Sequence, residues 1–168
     1  MKVINNILFK DYFNELKEIV YSNNFAWFYQ KKTTHYEEDN NFMFGHTLFD
    51  NNKINSNFYN KFEPIKYFIS NHQIVNKINR MKLNLYTNQG KQIEHKSHYD
   101  WIDKNGQPEQ NTYIAIINFS TCNGSTVIED KKIPSKENEM ILFSNDKKHY
   151  GITQNDTDLR IVLNIVFQ

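Results

Sequence analysis

The stretch KQIEHKSHYDW, residues 91–101, brings two histidines and an aspartate together in one short segment. Its backbone period decides which of them can act together, and what kind of fold carries them. In a strand, side chains alternate between two faces, so His98 and Asp100 share one face and His95 lies on the other. In a helix, His95 and His98 share a face and Asp100 is lost from the set. The strand reading is favoured, because LNLYTNQG (83–90) reads as a strand closed by a turn, and the stretch itself has no apolar stripe at helical spacing.

Working outward, the same two-residue period holds from about Arg80 onward. Residues 81–86, 92–101, 111–119, 125–129, 140–144, 149–152 and 159–167 read as short strands, separated by the turn signals NQG, KNGQP, CNG and NDKK. Before Arg80 the pattern is different. DYFNELKEIVYS (11–22) predicts a helix capped by Asp11, with Phe13, Leu16, Ile19 and Val20 on one stripe. A second helix is expected over 63–76, with Pro64 in its first turn and Ile65, Phe68, Ile69 and His72 at helical spacing. The aromatic-rich stretch from FAWFYQ to FMFGHTLF is of mixed or strand-like character. Helices followed by many short strands predict an α+β arrangement in which helices buttress a β-sandwich or jelly roll.

A chain of 168 residues can bury one sizeable core, and no repeat or linker asks for a boundary. The expectation is one domain over 1–168, with 1–80 as a helical, aromatic-rich support region and 81–168 as the core carrying the site. The lone Cys122 excludes an internal disulfide or an all-cysteine zinc site. Lys and Arg (20) nearly balance Asp and Glu (19), which disfavours nucleic acid or anionic lipid as a partner. No apolar run approaches the roughly 20 residues of a membrane span, and MKVINNILFKDYF lacks the marks of a signal peptide. A cytoplasmic location is expected, with no membrane partner.

An imidazole and a carboxylate two apart on a sheet face supply two ligands of a 2-His-1-carboxylate facial triad, which leaves positions of Fe(II) open. His149 is the best-placed third ligand, opening the strand HYGI directly after the turn NDKK. On spacing alone, unrelated polar residues are the favoured explanation, because an isolated HxD is a weak pattern. In DLRIVLNIVF, Arg160, Val162, Asn164 and Val166 alternate with Leu159, Ile161, Leu163, Ile165 and Phe167, so the strand looks central. A guanidinium there is costly to bury alone and well shaped to hold a carboxylate in two parallel hydrogen bonds. The alternative is that Arg160 reaches Asp156 or Asp158.

His98-Tyr99-Asp100, His149 and Arg160 resemble the HxD…H…R signature of the Fe(II)- and 2-oxoglutarate-dependent dioxygenases. The resemblance extends through NLYTNQG, FSTCNGSTVIED and NEMILFSNDKKHYGI, about half the chain, and is to the small, prolyl-hydroxylase-like members found in phages and bacteria. It implies a double-stranded β-helix (jelly-roll, cupin-like) core with N-terminal buttressing helices. His98, Asp100 and His149 would then be the iron ligands and Arg160 the anchor for the distal carboxylate of 2-oxoglutarate. Asn84 and Tyr86 are similar to an N-x-Y pair that contacts this cosubstrate in the nucleic-acid demethylase branch. The implied activity is hydroxylation of a C–H bond in a peptidyl (prolyl) or small-molecule substrate, consuming O2 and giving succinate and CO2; for a phage-encoded chain this would take place in the host cytoplasm. A demethylase-like oxygenase and a non-catalytic jelly-roll binding module are the alternatives.

Two departures from the family pattern stand out: Ile161-Val162 follow Arg160 where some branches have R-x-S, and Asn123-Gly124 stands where many relatives have Gly-Gly. Tyr99 and Trp101, alternating with the ligands, are candidate substrate contacts. Trp27, Phe28 and Tyr29 read as core, and His35 and His46 as surface residues.

Overall fold

The alternation in the last strand divides the molecule into two cores. In the computed structural model, which describes residues 1–34 and 41–168, Ile161, Leu163, Ile165 and Phe167 enter one hydrophobic cluster. Val162 and Val166, on the opposite face, enter a second.

The chain runs β1 (Lys2–Asn5), α1 (Lys10–Tyr21), β2 (Phe28–Gln30), β3 (Met43–Asp50), β4 (Lys53–Ile54), α2 (Tyr59–Phe62), α3 (Ile65–Ser70) and β5 (Ile78–Thr87). It continues through β6 (Tyr113–Asn118), β7 (Cys122–Ile128), β8 (Lys131–Ser135), β9 (Glu139–Ser144), β10 (His149–Ile152) and β11 (Leu159–Phe167). The large sheet has the order β1-β9-β6-β11-β5-β3-β2, with β4 on β3, and the small sheet the order β10-β7-β8. Every ladder is antiparallel.

One face of the large sheet packs on the helices. Phe13, Leu16 and Val20 of α1, Phe62 of α2 and Ile65 and Ile69 of α3 join Met81, Leu83 and Leu85 of β5 in the larger cluster. The stripe read from the sequence therefore forms the buried side of α1, although Asp11 lies in its first turn and Phe9 occupies the cap without a side-chain bond. There Asp11 complements the helix dipole. On the other face Ile128 of β7 meets Ile114 and Ile116 of β6 and Ile141 and Phe143 of β9, so the small sheet covers the large one.

Three expectations are corrected. The helix expected over 63–76 is two short helices: Pro64 has no N–H to donate and sits between them as the cap of α3, and the N–H groups of Asn76 and Lys77 bond the Gln168 carbonyl instead of continuing a helix. The strand β8 was missed because KKIPS is polar and contains a proline, which an edge strand tolerates. Residues 92–101 form no regular strand; they touch the small sheet through single bridges, Glu94 to Ile152 and His98 to His149.

The register of β11 on β5 pairs Arg160 with Tyr86, Val162 with Asn84, Asn164 with Lys82 and Val166 with Arg80. Their side chains share the inner face, so a row of polar groups runs through an otherwise apolar interior. No helix of the described residues is long and apolar enough to cross a membrane.

Candidate active site

The bridge between His98 and His149 builds the centre. Each backbone N–H donates to the other's carbonyl, at 3.0 and 3.1 Å, and this cross-strand pairing puts the two side chains next to each other. Their rings lie 4.7 Å apart. Asp100 completes the group, with Oδ2 3.1 Å from His149 Nε2 and Oδ1 3.9 Å from His98 Nε2. One ligand atom from each residue lies within 4.8 Å of the others. Two imidazoles and one carboxylate converging from one side form the donor set of a facial triad and suit Fe(II).

The surrounding contacts prepare these atoms for a cation. His98 Nδ1 is 3.0 Å from the Lys96 carbonyl, and the tautomer that donates this bond leaves the Nε2 lone pair for a metal. Burial pushes the His98 pKa down and the neighbouring His149 pushes it the same way, against Asp100 and Lys96. Asp100 is clamped: Arg80 Nη2 donates to Oδ1 at 2.8 Å, and Asn164 Nδ2 donates to Oδ2 at 2.7 Å. Arg80 Nη2 also reaches Asn164 Oδ1 at 3.2 Å. Burial alone would raise the Asp100 pKa, but His149, Arg80 and His98 together hold it well below the usual carboxylate range.

Arg160 is 2% exposed at the other end of the same cavity. Its Nη2 donates to Thr126 Oγ1 at 3.0 Å, its Nε has no hydrogen-bond partner, and its guanidinium lies 5.6 Å from the centre of the Tyr86 ring. Among the described residues no carboxylate is within ion-pair range of it. Asp156, a partner considered from the sequence, instead accepts the Asn123 N–H. Two glycines make room: a Cβ on Gly124 would stand 2.8 Å from Arg160 Cδ, and one on Gly151 would stand 3.5 Å from Nη1. A buried cation with an unpaired donor facing a ligand cavity fits an anionic ligand, and a carboxylate best of all.

The cavity is also lined by Asn84, Tyr86 and Tyr99. Asn84 Oδ1 is buried without a hydrogen-bond partner, and Lys148 lies 5.5 Å over the Tyr99 ring. Trp101 lines an adjoining hollow, with the Arg80 guanidinium 6.0 Å from its ring. His95, expected on the far face, is buried and lines the same cavity, 5.2 Å from the Tyr86 ring. The reason lies in the two bridges. Four steps separate Glu94 from His98 but three separate His149 from Ile152, so one extra residue resets the alternation, as in a bulge.

His46, expected at the surface, is buried beside Phe25. Its ring nitrogens lie 2.6 Å from the Ala26 carbonyl and 2.7 Å from Ser56 Oγ. His35 lies outside the described residues. Of the aromatic patch, Trp27 packs on the core, while Phe28 and Tyr29 are exposed on an edge strand. Sequence reasoning missed Arg80, Lys82, Thr126, Asn164 and His95. The even-numbered alternation of β5, carried one strand across to β11, held the signal for three of them.

No family model matches the sequence, and none of the curated proteins matches it. The fold does match solved structures. An oxidoreductase of the 2OG-Fe(II) oxygenase family from Burkholderia pseudomallei is 9% identical with a TM-score of 0.69, over 98% of this chain and 84% of that one. The viral collagen prolyl hydroxylase of Paramecium bursaria Chlorella virus-1, in its 2OG complex, is 14% identical with a TM-score of 0.60, over 98% and 94%. A prolyl hydroxylase from Trichoplax adhaerens, in complex with a hypoxia-inducible-factor peptide fragment, is 12% identical with a TM-score of 0.64, over 99% and 82%. The chain has the fold of the 2OG-Fe(II) oxygenases.

Proposed function

We propose that the protein is an Fe(II)- and 2-oxoglutarate-dependent dioxygenase that hydroxylates a C–H bond of a peptidyl or small-molecule substrate, with succinate and CO2 as coproducts. The observation that carries this reading is the pairing, in one cavity, of a His-Asp-His donor set with a buried arginine that has no carboxylate of its own among the described residues. The likeness to prolyl hydroxylases, one of them holding a peptide, supports the substrate class. Residues 1–168 would form one dioxygenase domain, with a jelly-roll core over 81–168 and the helices of 1–80 as its buttress.

In this reading His98, Asp100 and His149 hold Fe(II), and Arg160 holds the far carboxylate of 2-oxoglutarate with Thr126 steadying its guanidinium. Bound together, iron and keto acid supply the means to activate O2 and oxidise a C–H bond. The chain's own part is mainly positional. Arg80 and Asn164 fix the carboxylate of Asp100, and the Lys96 carbonyl fixes the tautomer of His98. Tyr86 and Asn84 flank the keto acid, while Tyr99 and Trp101 stand where substrate would enter. The partly buried setting of the triad, with His149 buried, limits the access of bulk water to the reacting atoms.

The test is an anaerobic titration with Fe(II) and 2-oxoglutarate, followed by a succinate assay in air. A weak visible charge-transfer band and succinate release are expected. Their joint absence would overturn the assignment.

A further inference from the structure

The inner row of β5 assigns work to three of its four polar residues. Arg80 is held by Asp100 and Asn164, while Asn84 and Tyr86 flank Arg160. Lys82, between them, belongs to neither group. It is 7% exposed, and its ammonium donates to the neutral Gln30 Oε1 at 2.9 Å. No carboxylate of the described residues lies within ion-pair range of it. The position is built for this side chain: a Cβ on Gly45 of β3 would stand 3.0 Å from Lys82 Cε and 2.5 Å from Gln30 Nε2. A buried ammonium is costly to keep beside an amide alone, and a ligand of opposite charge removes the cost.

Lys82 lines both the triad's cavity and an adjoining hollow of about 350 Å³, near the small end of ordinary ligand pockets at roughly 300–1,000 Å³. The hollow also presents the carboxylate of Asp50, which among the described residues takes a 3.3 Å bond from Asn51 and stands in no ion pair. Asp100 and the indole of Trp101 complete its wall. Arg80 also lines the hollow, but it is paired with Asp100 at 2.8 Å, so the charges left for a ligand are the ammonium of Lys82 and the carboxylate of Asp50, which beside the indole complement a small zwitterion. A residue inside a polypeptide lacks the adjacent α-ammonium and α-carboxylate, because its backbone amino and carboxyl groups are amides.

We infer that the substrate is a free α-amino acid, with its carboxylate on Lys82, its ammonium toward Asp50 and its side chain presented to the His98–Asp100–His149 centre. This deepens the proposed dioxygenase function and rests on it.

The test compares each proteinogenic L-amino acid with its N-acetyl carboxamide, in the presence of Fe(II) and 2-oxoglutarate. Succinate release is followed in air, and binding is followed anaerobically by calorimetry. At least one free amino acid should bind and accelerate succinate release at least about tenfold more effectively than its capped form, the size expected for losing one partner of a buried charge pair. In Lys82→Met that preference for acid over amide should fall to near unity.

A charge-transfer band with no response to any free amino acid, or an equal response to the capped forms, overturns the inference and leaves the dioxygenase reading standing. Loss of band and succinate together overturns both. A preference for the acid that survives Lys82→Met removes Lys82 as the anchor.

Discussion

A Cβ placed on Gly124 would stand 2.8 Å from Cδ of Arg160 and 3.1 Å from the Ile152 carbonyl. Strand β7 thus runs so close to the arginine stem that a methyl group has no free space. Gly124→Ala must displace either the stem or the strand, drawing the guanidinium off Thr126. Displacements of about 1 Å cost up to about 100-fold in positioned chemistry. The KM for 2-oxoglutarate should rise about tenfold or more, while Co(II) affinity at the triad changes little. Steady-state kinetics and a Co(II) absorbance titration check the two expectations. A loss of metal affinity with an unchanged KM would remove Arg160 from the role proposed for it.

His95 and His98 separate by what they touch. His98→Ala removes a ligand atom and should abolish both metal binding and the charge-transfer band. His95 lies beside Tyr86 and Gly151, and the grouped donor atoms among the described residues are those of His98, Asp100 and His149. His95→Ala should therefore keep the metal and weaken keto-acid binding. Equal loss of metal in both variants would make His95 a metal ligand in its own right.

Much of this site was legible before the structure because its parts lie on regular strands. The period of two in 159–167 and the turn before His149 put Arg160 and His149 on two strands, and both strands have the predicted bounds. His95 was misread for the same reason in reverse: strand alternation was extended across a segment that contains one extra residue. Arg80 escaped notice because the sequence was divided there, while β5 begins at Ile78 and carries Arg80 into the same row as Lys82 and Asn84. The partners of Asp100 come from 20 and 64 positions away, and no local pattern encodes a contact of that range. The pairing of β2 with β3, which seats Gln30 against Lys82, is hidden for the same reason.

The lowered pKa of His98 fixes the sign of a pH dependence. Burial and His149 disfavour its charged form, so protons compete with a metal less well than they do at a free imidazole. The proton competition that His98 contributes should therefore be centred below the ordinary imidazole value of 6.5. In the metal-free protein the folded state binds this proton less readily than the unfolded state, so the same range should see stability lost as pH falls. Co(II) titrations across this range test the first expectation, and urea unfolding tests the second. A decline in metal affinity already above pH 6.5 would assign the controlling group elsewhere.

Arg80 holds Asp100 from a largely buried position, with side-chain exposures of 12% and 8% for the pair. Removing one partner of such a pair strands the other and costs about 3–5 kcal/mol. Arg80→Leu should lower stability by an amount near the bottom of that range, because Asn164 still donates to Asp100. It should also weaken metal binding by about 10–100-fold through loss of orientation. Urea unfolding and Co(II) titration measure the two effects separately. An unchanged metal affinity would mean that Asn164 and His149 orient the carboxylate unaided.

Lys82 should behave in the opposite way. Burial lowers its pKa from 10.5 to about 8, and Arg80 adds to this against the opposing pull of Asp100 and Asp50. The folded state therefore binds this proton less tightly than the unfolded state, so the charged lysine costs stability below about pH 8, on the order of 3 kcal/mol. That cost shrinks as pH rises from 8 to 10.5. Lys82→Met keeps a flexible apolar stem and removes the charge, so the metal-free protein at neutral pH should gain about 1–3 kcal/mol. Its stability should also lose the upward slope between those two pH values. Urea unfolding of both proteins across that range is the measurement, and a variant no more stable than the parent would show that the ammonium is already compensated in the free protein. A gain in stability joined to a loss of amino-acid binding would identify Lys82 as a residue held against the stability of the fold for the sake of its ligand.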